Sequence, residues 1–440
     1  MQIDFHYYAT YCAAILAGYD HDESLTIAYS DQLVDCCTRT LLGKIGGPRQ
    51  AATTQSQAEL MDASTDPVGL QDITRIWASF HFIPGDLKAV PDMKCSKAFL
   101  RKYRLICQPN SELAVNTVEL ARDKSLQAAG LAMHVVADTW AHRYFAGTPS
   151  LVINNVDDHF YEIVPIAEAD AQTKAINAQS NVAEAQSTVA NAQSNTADAQ
   201  SNTANAQSNA VDAQSYQAQA GFIERKIDFN HNPASPDDPE KGIYTNSLYQ
   251  GSESSIMNLG HGRAGHLPDY SWARYRYMPS WGGYKEIIKD NPDDYLRAFC
   301  QVIYALRCLK DGTPFEADHY DAEAIEPLKY EIREILLKRQ MDSSEDWKRL
   351  GEKLSGNEIE DFDIEKYQRE YADADPGSKD DTFLGRFILA ALSQKSMVTN
   401  RIFVSGNYLA GISVDFDKKG FRGLRDFRRL VEESARADRQ

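Results

Sequence analysis

The stretch Leu131-Ala-Met-His134-Val-Val-Ala-Asp138-Thr-Trp-Ala-His142 decides the reading of this chain. Wound as an α-helix, it repeats a polar side chain every four residues, at His134, Asp138 and His142. Side chains four apart stack on one helix face. Two imidazoles and a carboxylate make a poor core stripe and a good metal-binding stripe, since both groups suit zinc and related divalent ions. A single His beside an Asp would more often be a hydrogen-bonded core pair; three donors in register favour a metal. Gly130 to Val136 is mostly small and apolar, and Trp140, Tyr144 and Phe145 add aromatic bulk nearby. A buried, rigid and partly dry surrounding is therefore expected, which strengthens metal–ligand electrostatics.

Working outward, further donors fall in a few places. The chain opens Met1-Gln-Ile-Asp4-Phe-His6-Tyr7-Tyr8. Asp31 and Asp35 sit one helical turn apart, and His81 lies in Trp77-Ala-Ser-Phe-His81-Phe. Leu259-Gly-His261-Gly-Arg263-Ala-Gly-His266-Leu-Pro-Asp269 adds two histidines and an acid among three glycines. Structural or catalytic zinc takes about four ligands. The set His6, Asp35, His81, His134, Asp138, His142, His261, His266 and Asp269 exceeds that, so two or three ions are expected, with an acid such as Asp138 bridging.

These residues resemble those of the zinc-dependent phospholipase C and S1/P1 nuclease superfamily, and more closely a bacterial branch of unknown function near the HET-C-like proteins. The resemblance spans about residues 1–165 and 221–300. It implies a mostly helical fold around a trinuclear zinc centre, with the start of the chain, Met1 to His6, helping to hold one ion. His6 would match the early His, Asp35 the helical Asp, and His81 the His before an aromatic residue. His134 and Asp138 would be the pair shared between two ions, and His142 with His266 and Asp269 would hold the third. The spacing departs from that of the enzymes, which place more residues between the bridging acid and the next His. The late pair differs too: His266-x-x-Asp269, or His261 with a longer gap.

A chain of 440 residues permits two or three domains, or one large helical domain carrying an insertion. A hydrophobic content of 43% is ample for a core. The net charge of −17 disfavours electrostatic binding to nucleic acid or to anionic membranes. Bound dications would still make a pocket locally positive. No run of about 18 apolar residues predicts a spanning helix. No basic-then-apolar start predicts an ordinary signal peptide, so a cytoplasmic location or a signal-peptide-independent export route is expected. The seven cysteines, Cys12, Cys36, Cys37, Cys95, Cys107, Cys300 and Cys308, form no CxxC pair and suit reduced core thiols.

Residues 166–220 are of low complexity. Gln179, Gln186, Gln193, Gln200, Gln207 and Gln214 mark a seven-residue period. Val182, Ala185, Val189, Ala192, Thr196 and Ala199 begin a 3-4 seam of the coiled-coil kind. A helical projection that self-associates is expected; the alternative is a weakly ordered spacer, since such small residues bury little area and leave an isolated helix marginal. The insertion should leave and re-enter the domain at neighbouring points. The expected layout is a first helical metal-binding part over 1–165, the heptad-repeat insertion over 166–220, and the second part over 221–440.

Elsewhere the pattern is helical: 9–18, 24–42, a helix from Asn110 or Ser111 through Glu119 and Arg122, one from Pro292 toward Asp311, then 321–340, 382–397 and a charged tail from Lys418. Residues 43–56 and the prolines 233, 236 and 239 read as loops, and Ile402–Val404 and Ile412–Val414 as short strands.

A zinc cluster activates water and clamps an anionic oxygen, the two needs of phosphodiester hydrolysis. Asp31 and Asp4 are candidates to orient that water or take its proton, set against solvated helix acids. Arg263 is a candidate phosphate contact, set against a structural ion pair. Tyr7, Tyr8, Phe82 and Tyr144 are pocket-lining candidates or core. A zinc-dependent phosphodiester hydrolase is the expected activity, on a phospholipid headgroup or, second, a nucleic acid. The competing classes are a metal-stabilised scaffold that oligomerises through the repeats, and a nuclease or effector toxin.

Overall fold

The computed structural model describes residues 1–56, 58–60, 67–85, 87, 105–147, 160–166, 222–229, 242–245, 260–278 and 286–405. The chain is mostly helical, with one small antiparallel sheet. Helix starts almost at once. Asp4–Ala9 is wound as a π-helix and runs into α1 (Thr10–Leu16). Single π-turns inside helices recur at functional sites, and this one carries His6.

Local chemistry sets the next boundaries. α2 (His21–Cys36) opens on a capping box, in which Asp20 accepts from the Glu23 amide and Glu23 from the Asp20 amide. The pattern over 24–42 predicts one helix; the chain instead breaks after Cys36. The Thr53 amide takes the Cys37 carbonyl at 3.0 Å, and Thr38 caps a separate α3 (Arg39–Lys44). α4 (Pro67–Phe80) follows. Ser111 caps α5 (Glu112–Ala121), as expected, and Ser125 caps α6 (Leu126–Ala141).

α6 is the axis of the molecule. Every residue from Gln127 to Ala141 is buried, as befits a helix apolar on all sides. It packs against α2, α5, α7 (Asn291–Asp311) and α11 (Phe383–Val404). Gly130 makes the α2–α6 approach possible. A Cβ there would lie 2.2 Å from the Ile27 carbonyl oxygen and 2.7 Å from Ser30 Cβ. Only glycine lets two backbones come this near, and the approach sets Asp31 and Asp35 of α2 opposite His134 and Asp138 of α6.

Between α7 and α11 come α8 (Lys329–Leu337), α9 (Ser344–Ser355) and α10 (Glu365–Asp373). Phe5 meets Tyr295 of α7 edge-on at 5.2 Å and Trp347 of α9 at 6.3 Å. Aromatic pairs of this geometry contribute beyond their buried area, and here they fix the start of the chain against the core. Asp4 belongs to the same anchor: its carboxylate accepts from the Ser343 hydroxyl at 2.6 Å and amide at 3.2 Å. Asp4 is thus a buried structural acid, not a water-orienting one and not a solvated one.

The sheet joins β1 (Tyr161–Pro165), β2 (Phe222–Lys226), β3 (Arg274–Tyr277) and β4 (Ile287–Asp290) in the order β2-β1-β3-β4. Tyr275 and Tyr277 turn inward onto Phe160 and Phe145, making a second, aromatic core. β1 and β2 pair from Tyr161↔Lys226 to Pro165↔Phe222. The segment between them therefore leaves and returns at adjacent points, as expected, while the coiled-coil expectation itself lies outside the described residues. So do the tail from Lys418, the strand at Ile412–Val414, Cys95 and the prolines 233, 236 and 239. Ile402–Val404 is not a strand but the last turn of α11, where Val398 and Ile402 bury one face at helical spacing. The other cysteines are free thiols. No helix among the described residues is long and apolar enough to cross a membrane.

Candidate metal centre

The stripe on α6 faces inward, and three other parts of the chain converge on it. Asp138 is at the middle, 1% exposed. Its Oδ1 lies 2.7 Å from the Met1 amino nitrogen and 3.2 Å from His6 Nε2. Its Oδ2 lies 3.1 Å from His81 Nδ1 and 3.2 Å from His134 Nε2. Each carboxylate oxygen thus serves a different cluster, the geometry of a bridging ligand.

The second cluster is completed by Asp35, whose Oδ1 is 3.7 Å from His81 Nδ1 and 3.8 Å from His134 Nε2. The two imidazole nitrogens are 3.3 Å apart. A tetrahedral zinc with bonds of about 2.0–2.1 Å sets its donors about 3.3–3.4 Å from one another. Five of the six separations among these four side chains run from 3.1 to 3.8 Å and bracket that value. A third group lies one turn down α6: His142 Nε2 and His261 Nε2 sit 3.4 Å and 3.6 Å from Asp269 Oδ1.

Hydrogen bonds on the far side of each ring decide which nitrogen can bind an ion. His81 Nε2 donates to the Thr53 carbonyl at 3.0 Å, and His142 Nδ1 to the His81 carbonyl at 2.7 Å. His134 Nδ1 donates to Asp31 at 3.1 Å. The opposite nitrogens of the neutral rings then carry lone pairs, which point at one another and at ionised carboxylates. Buried acceptors facing acceptors are unfavourable unless a cation lies between them. His/Asp clusters that can hold metal are therefore a property of this fold.

Without metal, protons take the cations' place. Burial alone would lower the Met1 amine, but Asp138, Asp269 and Asp35 raise it to about 11. His134 is likewise lifted to about 10 against burial, chiefly by Asp138 and Asp35. Burial would raise Asp138, yet His142, the Met1 amine and His134 hold it well below the carboxylate range. Burial lowers His142 to about 4, leaving it neutral near pH 7.

Most of the expected donors come together: His6, Asp35, His81, His134, Asp138, His142, His261 and Asp269. Of the two late histidines, the structure puts His261 in the third group. His266 has a side chain 53% exposed and reaches only the other oxygen of Asp269, at 3.6 Å. Asp31 is neither solvated nor open to substrate; it is fully buried behind His6 and His134. The Arg263 side chain lies outside the described residues. Phe82 stacks on His142 with ring centres 4.6 Å apart, whereas Tyr7 donates to the Glu360 carbonyl and belongs to the core. The Met1 amine and the Thr53 carbonyl are main-chain partners that no side-chain pattern announces.

No curated protein and no solved structure matches the chain. One family model matches residues 1–402, and the chain thus belongs to the family of unknown function DUF6765.

Proposed function

We propose that the protein is a zinc-dependent hydrolase of phosphodiesters, built on a fold like that of the zinc-dependent phospholipase C and S1/P1 nuclease superfamily. The carrying observation is the split of Asp138, one oxygen to each of two donor clusters, with a third cluster beside them. Zinc bound there would supply Lewis acidity to an attacking water and to the phosphoryl oxygens. His81, His134, Asp35 and Asp138 would hold one ion; Met1, His6 and Asp138 the second; His142, His261 and Asp269 the third. The side chains of Asp35 and His261, 31% and 21% exposed, open the clusters toward solvent, whereas His6 and His134 are sealed. Such one-sided exposure favours a substrate-accessible site over closed structural metals. A phospholipid headgroup is the favoured substrate over a long nucleic acid, because the net charge of −17 repels polyanions.

Elemental analysis of the full chain, with assays on bis(p-nitrophenyl) phosphate, phosphatidylcholine micelles and single-stranded DNA, tests this. Two or three zincs per chain with hydrolysis of the first two substrates is the expected result. DNA cleavage alone would make the protein a nuclease. Metal without any hydrolysis would leave the scaffold reading, in which the repeat insertion recruits a partner or a second copy.

Metal loading should also release protons. His134 and the Met1 amine, raised to about 10 and about 11, are protonated at pH 7 and must be deprotonated to bind an ion. Zinc affinity is therefore expected to rise as pH increases from 6 toward 9. Calorimetric titrations in buffers of different ionisation enthalpy will count at least one proton released per chain at pH 7; no buffer dependence would contradict this charge assignment.

A further inference from the structure

The acid Asp31 is used by neither the bridging pair nor the solvent-facing edge, yet it is fully buried among the donors. Its Oδ1 lies 2.7 Å from His6 Nδ1, a close contact that is not a hydrogen bond, and accepts from His134 Nδ1 at 3.1 Å. Its Oδ2 accepts from the Thr10 hydroxyl at 2.7 Å. The two imidazoles it faces are stacked, with ring centres 3.9 Å apart and planes at 20°. Their other nitrogens point to the two different oxygens of Asp138.

One carboxylate oxygen thus stands behind two rings that serve two separate ion positions. Because both rings meet the same atom, a shift of Asp31 moves both. Thr10 on α1, Asp31 on α2 and His134 on α6 make the brace a link between three helices. An acceptor behind a ligating imidazole fixes its tautomer and orientation and raises its basicity, and losing such a partner typically weakens metal binding about 10–100-fold.

We propose that Asp31 is a positioning residue shared by two metal positions, so that the ion held by His6 and the ion held by His134 load as a coupled pair. The idea rests on the metal-centre reading above. It assigns Asp31 to the far side of the rings rather than to an ion, although His6, Asp31 and His134 also lie close enough together to surround one.

Three variants separate these cases. Asp31→Asn keeps an acceptor oxygen where Oδ1 stands but removes the charge. Asp31→Ala removes both contacts. Thr10→Val removes only the brace on Oδ2. Each metal-free full chain is first checked for native circular dichroism, then titrated with zinc against a competing chelator, and with cobalt(II) followed by its visible absorption.

The wild type should load two ions in one cooperative phase, with the third, at His142, His261 and Asp269, separate. Asp31→Asn should weaken both coupled ions about 10-fold and Asp31→Ala about 100-fold, without changing the third or the final stoichiometry at saturation. Thr10→Val should fall between wild type and Asp31→Asn. Loss of a single ion from the stoichiometry in both Asp31 variants would make Asp31 a direct ligand and overturn the proposal. So would wild-type affinities in Asp31→Ala. A wild-type chain that binds no stoichiometric metal would instead sink the metal-centre reading itself, a different failure with a different signature.

Discussion

Asp138→Asn is expected to remove two metal ions, not one. The carboxylate gives one oxygen to the Met1 and His6 cluster and the other to the His81 and His134 cluster. An amide keeps the shape, but its nitrogen side cannot ligate and its oxygen is neutral. The third group, at His142 and Asp269, has its own donors and should keep its ion. Phosphodiester hydrolysis should fall by at least about 10²–10³-fold, the scale on which a lost electrostatic contact to developing charge acts. The metal-free variant should also lose stability. The Met1 amine and His134 would lose one carboxylate partner each and keep Asp269 at 3.3 Å and Asp31 at 3.1 Å, so the loss should stay below the about 3–5 kcal/mol of a fully broken buried pair. Elemental analysis with a urea melt of the metal-free protein reads both effects. Loss of only one ion would show that Asp138 does not bridge.

The second large effect is expected at a residue that touches no ion. Gly130→Ala places a Cβ 2.2 Å from the Ile27 carbonyl oxygen and 3.1 Å from the Asp31 amide. Backbone cannot swing aside as a side chain can, so α2 must move away from α6. Overpacking of this kind costs about 1–3 kcal/mol, occasionally more, and a 2.2 Å clash with main chain belongs at the upper end. The displacement also pulls Asp35 and Asp31 away from His134, so zinc affinity should fall although every ligand is present. Ser30→Gly relieves the 2.7 Å contact to Ser30 Cβ but not the one to the Ile27 carbonyl. The double variant should accordingly stay destabilised. A Gly130→Ala chain with wild-type melting and wild-type zinc affinity would show that the helices are not held this close.

The metal stripe was legible because its spacing is local. His134, Asp138 and His142 are fixed relative to one another by a single helix, whatever the rest of the chain does. His6, Asp35 and His81 were legible only as residue types, since each arrives on a different element. The choice between His261 and His266 was not legible. It depends on how a single helical turn, Gly260–Arg263, and the 3-10 turn Leu267–Asp269 sit over Phe82 and Phe145. Asp31 shows the limit well. One turn separates it from Asp35, and only the packing of α2 on α6 turns the first behind the rings and the second toward solvent. None of the four strands was read from the sequence; Arg274-Tyr-Arg-Tyr277 alternates charged and aromatic residues, matching its half-buried and buried positions, but four residues are too short a run to stand out. β2, Phe222-Ile-Glu-Arg-Lys226, carries no such alternation of burial, and its place is set by pairing with β1.

The pairing of Pro165 with Phe222 has a consequence for how such chains can change over generations. Everything between β1 and β2 is attached to the body at two neighbouring points. The sequence between them repeats near-identical seven-residue units. A change in the number of those units leaves the two attachment points side by side and the donor residues outside the altered stretch. Changes in the donor clusters and changes in the length of the insertion fall on separable parts of the gene, and the β1–β2 pairing is the joint that separates them.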